Sequence, residues 1–251
     1  MERADRKVVA TFFAADQTLA PGSTLSLGEG VARHVRALRL GPGTNVRLVD
    51  GAGHRAAATI VRLSREAVTF HIADVAEIPA PPAVHLLVPV ADRERMLWLA
   101  EKCAELGATS WRPVIWRRSR SVQPRGEGQM FGGRVQARMA AALEQSSEAR
   151  LPAIFSETTV ERAIAATPHG SRLVLDRAGA PLLSFGLHVP VTIAVGPEGG
   201  PDDDELVSLE NAGFVPASLG ESILRFETAA LVALAIVRAT LALPNPPSHG
   251  N

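Results

Sequence analysis

The densest chemistry in this 251-residue chain lies in two short segments. The first, Ile193-Ala194-Val195-Gly196-Pro197-Glu198-Gly199-Gly200, runs an apolar strand into a glycine-rich loop. The second, Leu219-Gly220-Glu221-Ser222-Ile223-Leu224-Arg225-Phe226-Glu227-Thr228-Ala229-Ala230, leads another glycine loop into a long apolar helix. Glycines let a backbone approach a ligand closely, so that loop N–H and C=O groups can read an adenine edge or a carboxylate. Two such loops at the C-terminal ends of neighbouring strands make a crevice of the kind in which α/β proteins bind ligands. Other nucleotide-binding patterns fail on spacing. No Gly-x-x-x-x-Gly-Lys-[Ser/Thr] occurs, and Gly28-Glu-Gly30, Gly41-Pro-Gly43 and Gly51-Ala-Gly53 each lack the third glycine of a dinucleotide fingerprint. These three read as turns.

Charge is the second signal. Basic and acidic residues balance at 26 each, but unevenly along the chain. Residues 1–74 hold ten basic and seven acidic side chains, 112–138 hold seven arginines and one acid, and 176–243 hold three basic and nine acidic side chains. Only Lys7 and Lys102 are lysine, and the other 24 cations are arginine, a residue suited to bidentate phosphate contacts and base stacking. Coding bias accounts for the choice of arginine, and function for its clustering. The acidic run Asp202-Asp203-Asp204-Glu205 reads as a helix cap, with Asp202 three residues before Glu205, rather than as a metal site. Glu198 is either a base or, by preference, a loop brace that accepts backbone N–H bonds. Asp176-Arg177 either lines the crevice or makes an ordinary strand-end turn. His34 reads as a hydrogen-bonded surface histidine, and Cys103 as inert core. A single cysteine forbids an intramolecular disulfide and a cysteine-based zinc site.

The elements that must position these residues follow from periodicity. Val46–Val49, Ala57–Leu63 and Ala67–Ile72 read as strands separated by turns, with a helix over Gly30–Leu40, the pattern of a small β-barrel. Residues 77–83 form a proline-rich linker, which divides the chain into domains at 1–76 and 84–243. Beyond it, strands are expected at Val84–Val90, Trp111–Trp116, Leu173–Leu175 and Thr192–Val195. Helices are expected over Glu94–Leu106, 132–147, Asp202–Ala212 and Thr228–Leu243. Strands alternating with helices imply an α/β fold with a mostly parallel sheet. The tail 244–251 reads as disordered. The apolar run Thr228–Leu243 carries Arg238 and falls short of the roughly 20 residues a membrane span needs, and the charged start of the chain has no apolar leader. A cytoplasmic protein is therefore expected.

Taken together, Gly196-Pro-Glu-Gly-Gly200 and Leu219-Gly220-x-x-Ile223-Leu224-Arg225-x-Glu227-Thr228-Ala229 resemble the ribosomal small subunit methyltransferase E family, SPOUT-class enzymes that methylate N3 of a uridine in 16S ribosomal RNA. Four further segments carry the resemblance in order: His34-Val-Arg-Ala-Leu38-Arg39-Leu-Gly-Pro-Gly43, Glu101-Lys102-Cys-Ala-Glu105-Leu106-Gly107, Arg117-Arg118-Ser119 and Glu144-Gln145-Ser146. The chain departs from the family pattern at three places. Ser147 and Glu148 stand where Gly and Arg are usual, with Arg150 nearby. Glu221-Ser222 replaces Pro-Arg, and Phe226 replaces Thr.

The resemblance implies a PUA-like N-terminal β-barrel, a C-terminal SPOUT domain with a deep trefoil knot, and a homodimer acting on 16S rRNA in the small ribosomal subunit, without metal or membrane. The implied cofactor is S-adenosylmethionine (SAM), held by Leu175, Gly196, Pro197, Glu198, Gly199, Gly200, Leu219, Gly220, Ile223, Leu224 and Thr228. RNA contacts would come from Arg36, Arg39, Arg117, Arg118 and Arg120, with Arg117 and Arg118 reaching from the partner subunit. Uridine N3 is a poor nucleophile while protonated, so deprotonation or stabilisation of the anion is the chemical task. Arg225 is the candidate cation for that anion, and the alternative is an ion pair with Glu227 or an acidic loop residue. Two rival readings remain: another SPOUT RNA methyltransferase with a transfer RNA or ribose 2′-oxygen target, and a non-catalytic RNA-binding or ribosome-assembly factor.

Overall fold

A computed structural model describes residues 8–119 and 128–243. The expected disordered tail, 244–251, and Arg120 lie outside the described residues. The chain divides into two compact units, Met1–Ala80 with Ala140–Leu151, and Pro81–Met139 with Pro152–Asn251.

The first unit holds β1 (Thr11–Phe13), β2 (Thr24–Leu27), α1 (Glu29–Ala37), β3 (Asn45–Val49), β4 (His54–Leu63) and β5 (Val68–Glu77). Their order in the sheet is β1-β3-β4-β5-β2, antiparallel except for the parallel β1–β3 pair. Register shifts at Ala57/Ala58 and Ile60/Arg62 bend the long β4–β5 hairpin, because an unpaired residue increases local twist. The sheet curls around a core of Phe12, Val35, Val46, Leu48, Ile60, Phe70 and Ile72, and its ladder stays open between β1 and β2.

Ala140–Leu151 belongs to this unit through specific bonds. Glu144 accepts the Phe13 N–H at 2.9 Å. Ser147 adopts φ 60, the left-handed backbone that the glycine of the family pattern adopts freely. The Ser147 hydroxyl lies 3.1 Å from that of Thr11, and its carbonyl accepts the Arg55 guanidinium at 2.7 Å. Arg150 donates to the carbonyls of Ala52 and Ile78 and lies over Gly53, where a Cβ would meet its guanidinium at 2.3 Å.

The second unit holds β6 (Val84–Pro89), α2 (Arg93–Glu105), β7 (Ser110–Ile115), α3 (Gly128–Ser146, shared with the first unit), β8 (Ala153–Ile154), β9 (Thr158–Thr159), α4 (Val160–Ala165), β10 (Ser171–Pro181), β11 (Val191–Ala194), α5 (Asp203–Asn211), β12 (Val215–Ser218) and α6 (Phe226–Ala242). Every strand pair is parallel, in the order β12-β10-β11-β6-β7-β8, with β9 also on β7. Helices cover the sheet: α6 packs on β6 and β11 and against α2, while α4 packs on β7 and against α5. Strands enclosed this way are buried throughout, as β11 is at all four positions. Ala230, Ala233, Leu234 and Val237 bury one stripe of α6 at helical spacing.

The expected strands and helices all appear, with ends displaced by a few residues. β10 is much longer than the expected Leu173–Leu175, because a bulge after Leu175 lets it rejoin β12 at Ala180. Sequence reasoning missed β1, β2, α4, β8, β9 and β12. Most are too short for a period to show, and β12 carries Pro216, tolerated because this strand is the sheet edge. No helix among the described residues is long and apolar enough to cross a membrane.

Candidate active site

The order β12-β10-β11 sets three strands side by side: β11 and β12 run into the two glycine loops, and Asp176-Arg177 lies at the irregularity of β10 between them. After β11, the chain turns through Gly196–Pro201, closed by the Gly200 N–H to Pro197 carbonyl bond at 2.8 Å. A Cβ on Gly196 would meet Pro201 Cδ at 2.7 Å, so this tight fold of the loop on itself requires glycine. After β12, Gly220 takes φ 117, which a side chain would strain. The Ser218 hydroxyl accepts the Gly220 N–H at 3.1 Å and fixes the turn.

A cavity of about 330 Å³ lies between these loops. Leu175, Asp176 and Arg177 line it from β10, and Pro197, Glu198, Gly200 and Pro201 from the first loop. Ala217, Leu219, Gly220, Ser222, Ile223 and Leu224 close it from β12 and the second loop, with Ala229 from α6. Of the expected cofactor residues, Gly196, Gly199 and Thr228 do not line it; the two glycines shape the same loop and Thr228 is exposed on α6. Asp176 and Arg177 line the crevice, and Asp176 also accepts the Ala178 N–H at 2.7 Å, the local bond of a turn. Ile223 is 84% exposed at the cavity, an apolar surface with nothing yet packed on it. A larger cavity of about 540 Å³ lies in the first unit beside Arg47 and Glu144, and it has no glycine loop or strand-end cluster.

Arg225 is the N-cap residue of α6 and is exposed. Its guanidinium makes no ion pair or hydrogen bond among the described residues, so the ion pair with Glu227 or an acidic loop residue does not form. Glu227 instead faces Arg95, with Nε 3.8 Å from Oε1. Glu198 also departs from expectation. It accepts Arg95 Nη1 at 2.8 Å rather than backbone N–H groups, because its loop is already closed by its own backbone bond. Arg95 was missed in the sequence, where 103 residues separate it from Glu198.

The arginines of the 117–118 segment are also held within the chain. Arg117 pairs with Asp202 at 2.9 Å and Asp204 at 2.7 Å, and its N–H donates to Glu205. The Asp204 and Asp202 carboxylates hold its guanidinium pKa above the ordinary value. Arg118 donates to the carbonyls of Gly199 and Pro201 at 3.2 Å, bracing the first loop. The expected cap at Asp202 is present as a full capping box with Glu205. The Glu205 N–H, ahead of Arg117, lowers the pKa of Asp202. No group of three or more potential metal ligands occurs among the described residues. Arg36 donates to the Ser64 carbonyl, and Arg39 takes a left-handed backbone just beyond α1; both are exposed. Cys103 is fully buried, which pushes its thiol pKa up.

Comparison with known proteins follows the same lines. A family model described as an RNA methyltransferase domain matches residues 79–238, and one described as an RNA methyltransferase PUA domain matches 27–73. The chain is 30% identical over 217 residues to the ribosomal RNA small subunit methyltransferase E of Synechocystis, covering 82% of this chain and 69% of that protein. It is similar to the ribosomal RNA small subunit methyltransferase E of Neisseria gonorrhoeae, solved bound to S-adenosylmethionine, with TM-score 0.85, 27% identity, and 92% and 97% of the two chains covered. A methyltransferase from Legionella pneumophila, also solved with SAM bound, matches with TM-score 0.83 and 27% identity over 92% of this chain and 97% of that one.

Proposed function

This chain belongs to the ribosomal RNA small subunit methyltransferase E family, and we propose that it transfers a methyl group from SAM to N3 of a uridine in 16S ribosomal RNA, acting in the cytoplasm as a homodimer. One observation carries the reading: the glycine loops after β11 and β12, the two parallel strands that flank β10, line a single cavity. Its volume falls within the range of small-molecule sites, roughly 300–1,000 Å³. Its residues fit SAM. Leu175, Leu219, Ile223 and Leu224 give apolar walls for a flat base, and the loop backbones give donors and acceptors for its edge and for a carboxylate. Both SAM-bound relatives share the fold at TM-scores above 0.8.

When bound, SAM supplies an electrophilic methyl on a sulfonium. The protein must then align nucleophile and methyl and stabilise the charge on the uracil ring. In this reading Arg225, without an acidic partner among the described residues and next to Leu224, the second loop's last lining residue, offers its guanidinium to the uracil anion. Gly196, Gly199 and Thr228 support the cofactor loops without touching the ligand. The unit that contains residues 1–76 grips RNA with Arg36 and Arg39, and Arg117, Arg118 and Arg120 add contacts from the methyltransferase unit of the partner. The deep trefoil knot is part of the same proposal.

The test is methyl transfer from labelled SAM to purified small ribosomal subunits that lack the modification, followed by mass mapping of the nucleoside. A 3-methyluridine product is expected. A different methylated nucleoside would move the target, and SAM binding without transfer to any ribosomal RNA would remove the catalytic reading.

A further inference from the structure

Two carboxylates flank the cavity loops, and one guanidinium reaches both. Glu198 sits in the first loop and lines the cavity, while Glu227 sits in the first turn of α6, directly after the second loop. Arg95 Nη1 lies 2.8 Å from Glu198 Oε1, and Arg95 Nε lies 3.8 Å from Glu227 Oε1. Arg95 itself is fixed from behind: it is the third residue of α2, and its N–H donates to the capping carboxylate of Asp92 at 3.1 Å. Arg95 does not line the cavity.

We propose that Arg95 is a positioning residue that ties the glycine loop after β11 to the start of α6 and so sets the width of the cofactor crevice. This inference rests on the reading of the cavity as the SAM site. The two arms of the tie differ in strength. The Glu198 carboxylate is 55% exposed, and an ion pair that open contributes little by itself. Glu227 is 9% exposed, and its Oε2 is sealed from solvent with no hydrogen-bond partner among the described residues. A buried carboxylate depends on its nearby cation, because removing the partner leaves an uncompensated charge. Arg95 is thus anchored at Glu227 and Asp92, and from that anchor it holds Glu198. Without it, the loop after β11 and the start of α6 lose their shared partner, and Glu198 and Glu227 repel each other.

Calorimetric titration of SAM and of S-adenosylhomocysteine into the full chain tests this. Both fill the same crevice, but only SAM carries the sulfonium charge. Loss of a loop tie weakens both ligands alike, whereas a purely electrostatic effect of two freed carboxylates strengthens SAM alone. Arg95→Ala is expected to raise the Kd of both ligands about tenfold, Arg95→Lys to recover most of the loss, and Glu198→Gln to weaken both by less than Arg95→Ala. Circular dichroism at the titration temperature confirms that each variant is folded, and if Arg95→Ala is not, the Lys and Gln variants carry the test. Unchanged affinity for both ligands, or a change confined to SAM, overturns the proposal. Wild-type protein that binds neither ligand overturns the cofactor reading itself and the tie with it, a result distinct from wild-type binding that is insensitive to Arg95.

Discussion

Arg225 and Asp50 show how differently two charged side chains can be placed. Arg225 is exposed at the start of α6, and the acid two residues on, Glu227, faces Arg95 instead. Among the described residues Arg225 has no ion-pair or hydrogen-bond partner, so its removal leaves the contacts of the fold intact. We therefore expect Arg225→Ala to keep SAM affinity while lowering kcat about a hundredfold, the scale of losing one donor to a developing anion. Full activity in single-turnover methylation would end its catalytic assignment. Asp50 is the opposite case. Its carboxylate accepts the N–H groups of Ala52, Gly53 and His54 and pairs with the His54 ring at 2.5 Å. Burial pushes its pKa up, but the His54 and Ala52 N–H groups and the His54 ring outweigh burial and hold it below the ordinary value. A carboxylate depressed in the folded state stabilises above the ordinary carboxylate range, and that contribution is lost as pH falls through the folded value. Asp50→Ala should therefore cost about 2 kcal/mol at neutral pH. Denaturant unfolding should show the difference from wild type shrinking as pH drops below about 4. A pH-independent difference would assign the effect to packing.

At the scale of elements, α5 is fixed by its first turn. Asp202 caps the Glu205 N–H, Glu205 returns the bond to Asp202, and Asp202 also pairs with Arg117. Asp202→Ala should lower stability by removing the cap. Thermal unfolding reads that loss as a lower Tm. Asp202→Asn keeps an acceptor and should lose less, so an equal fall for both variants would shift the stabilisation from the cap to the ion pair. This capping box was legible in the sequence because both partners lie within one helical turn. The buried strands and long helices were legible for a similar reason: their apolar patterns repeat over enough residues to show a period. β12 was not, because Pro216 in a four-residue edge strand looks like a turn. The glycine loops announced themselves by composition, and the cavity they line is where they predicted. Arg95 could not be found this way, since the carboxylates that its guanidinium meets lie over a hundred residues away and only the parallel sheet brings them to its side. Glu198 was misjudged for the same reason, because nothing local reveals a partner on α2.

At the scale of the molecule, the neutral sum conceals a division. The first 74 residues and the arginine segment are basic, and 176–243 is acidic. Part of that acidity faces part of that basicity within the chain, since Asp202 and Asp204 hold Arg117. If Arg117 contacts RNA as proposed, phosphate oxygens must replace carboxylates rather than water, and the binding free energy is the difference between the two partners. Two substitutions then act in opposite directions. Arg117→Ala removes a phosphate contact, so it should weaken binding to small-subunit RNA and reduce the slope of log K against log salt by about one. Asp204→Asn leaves the arginine in place but removes a competitor that is 77% exposed and contributes little to stability. It should tighten RNA binding a few-fold while the salt slope stays near the wild-type value or rises slightly. Filter-binding titrations from low to moderate salt measure both quantities. If Asp204→Asn weakens binding, or if Arg117→Ala leaves both affinity and slope unchanged, Arg117 is a brace for α5 alone and the RNA contacts lie elsewhere on the basic surface.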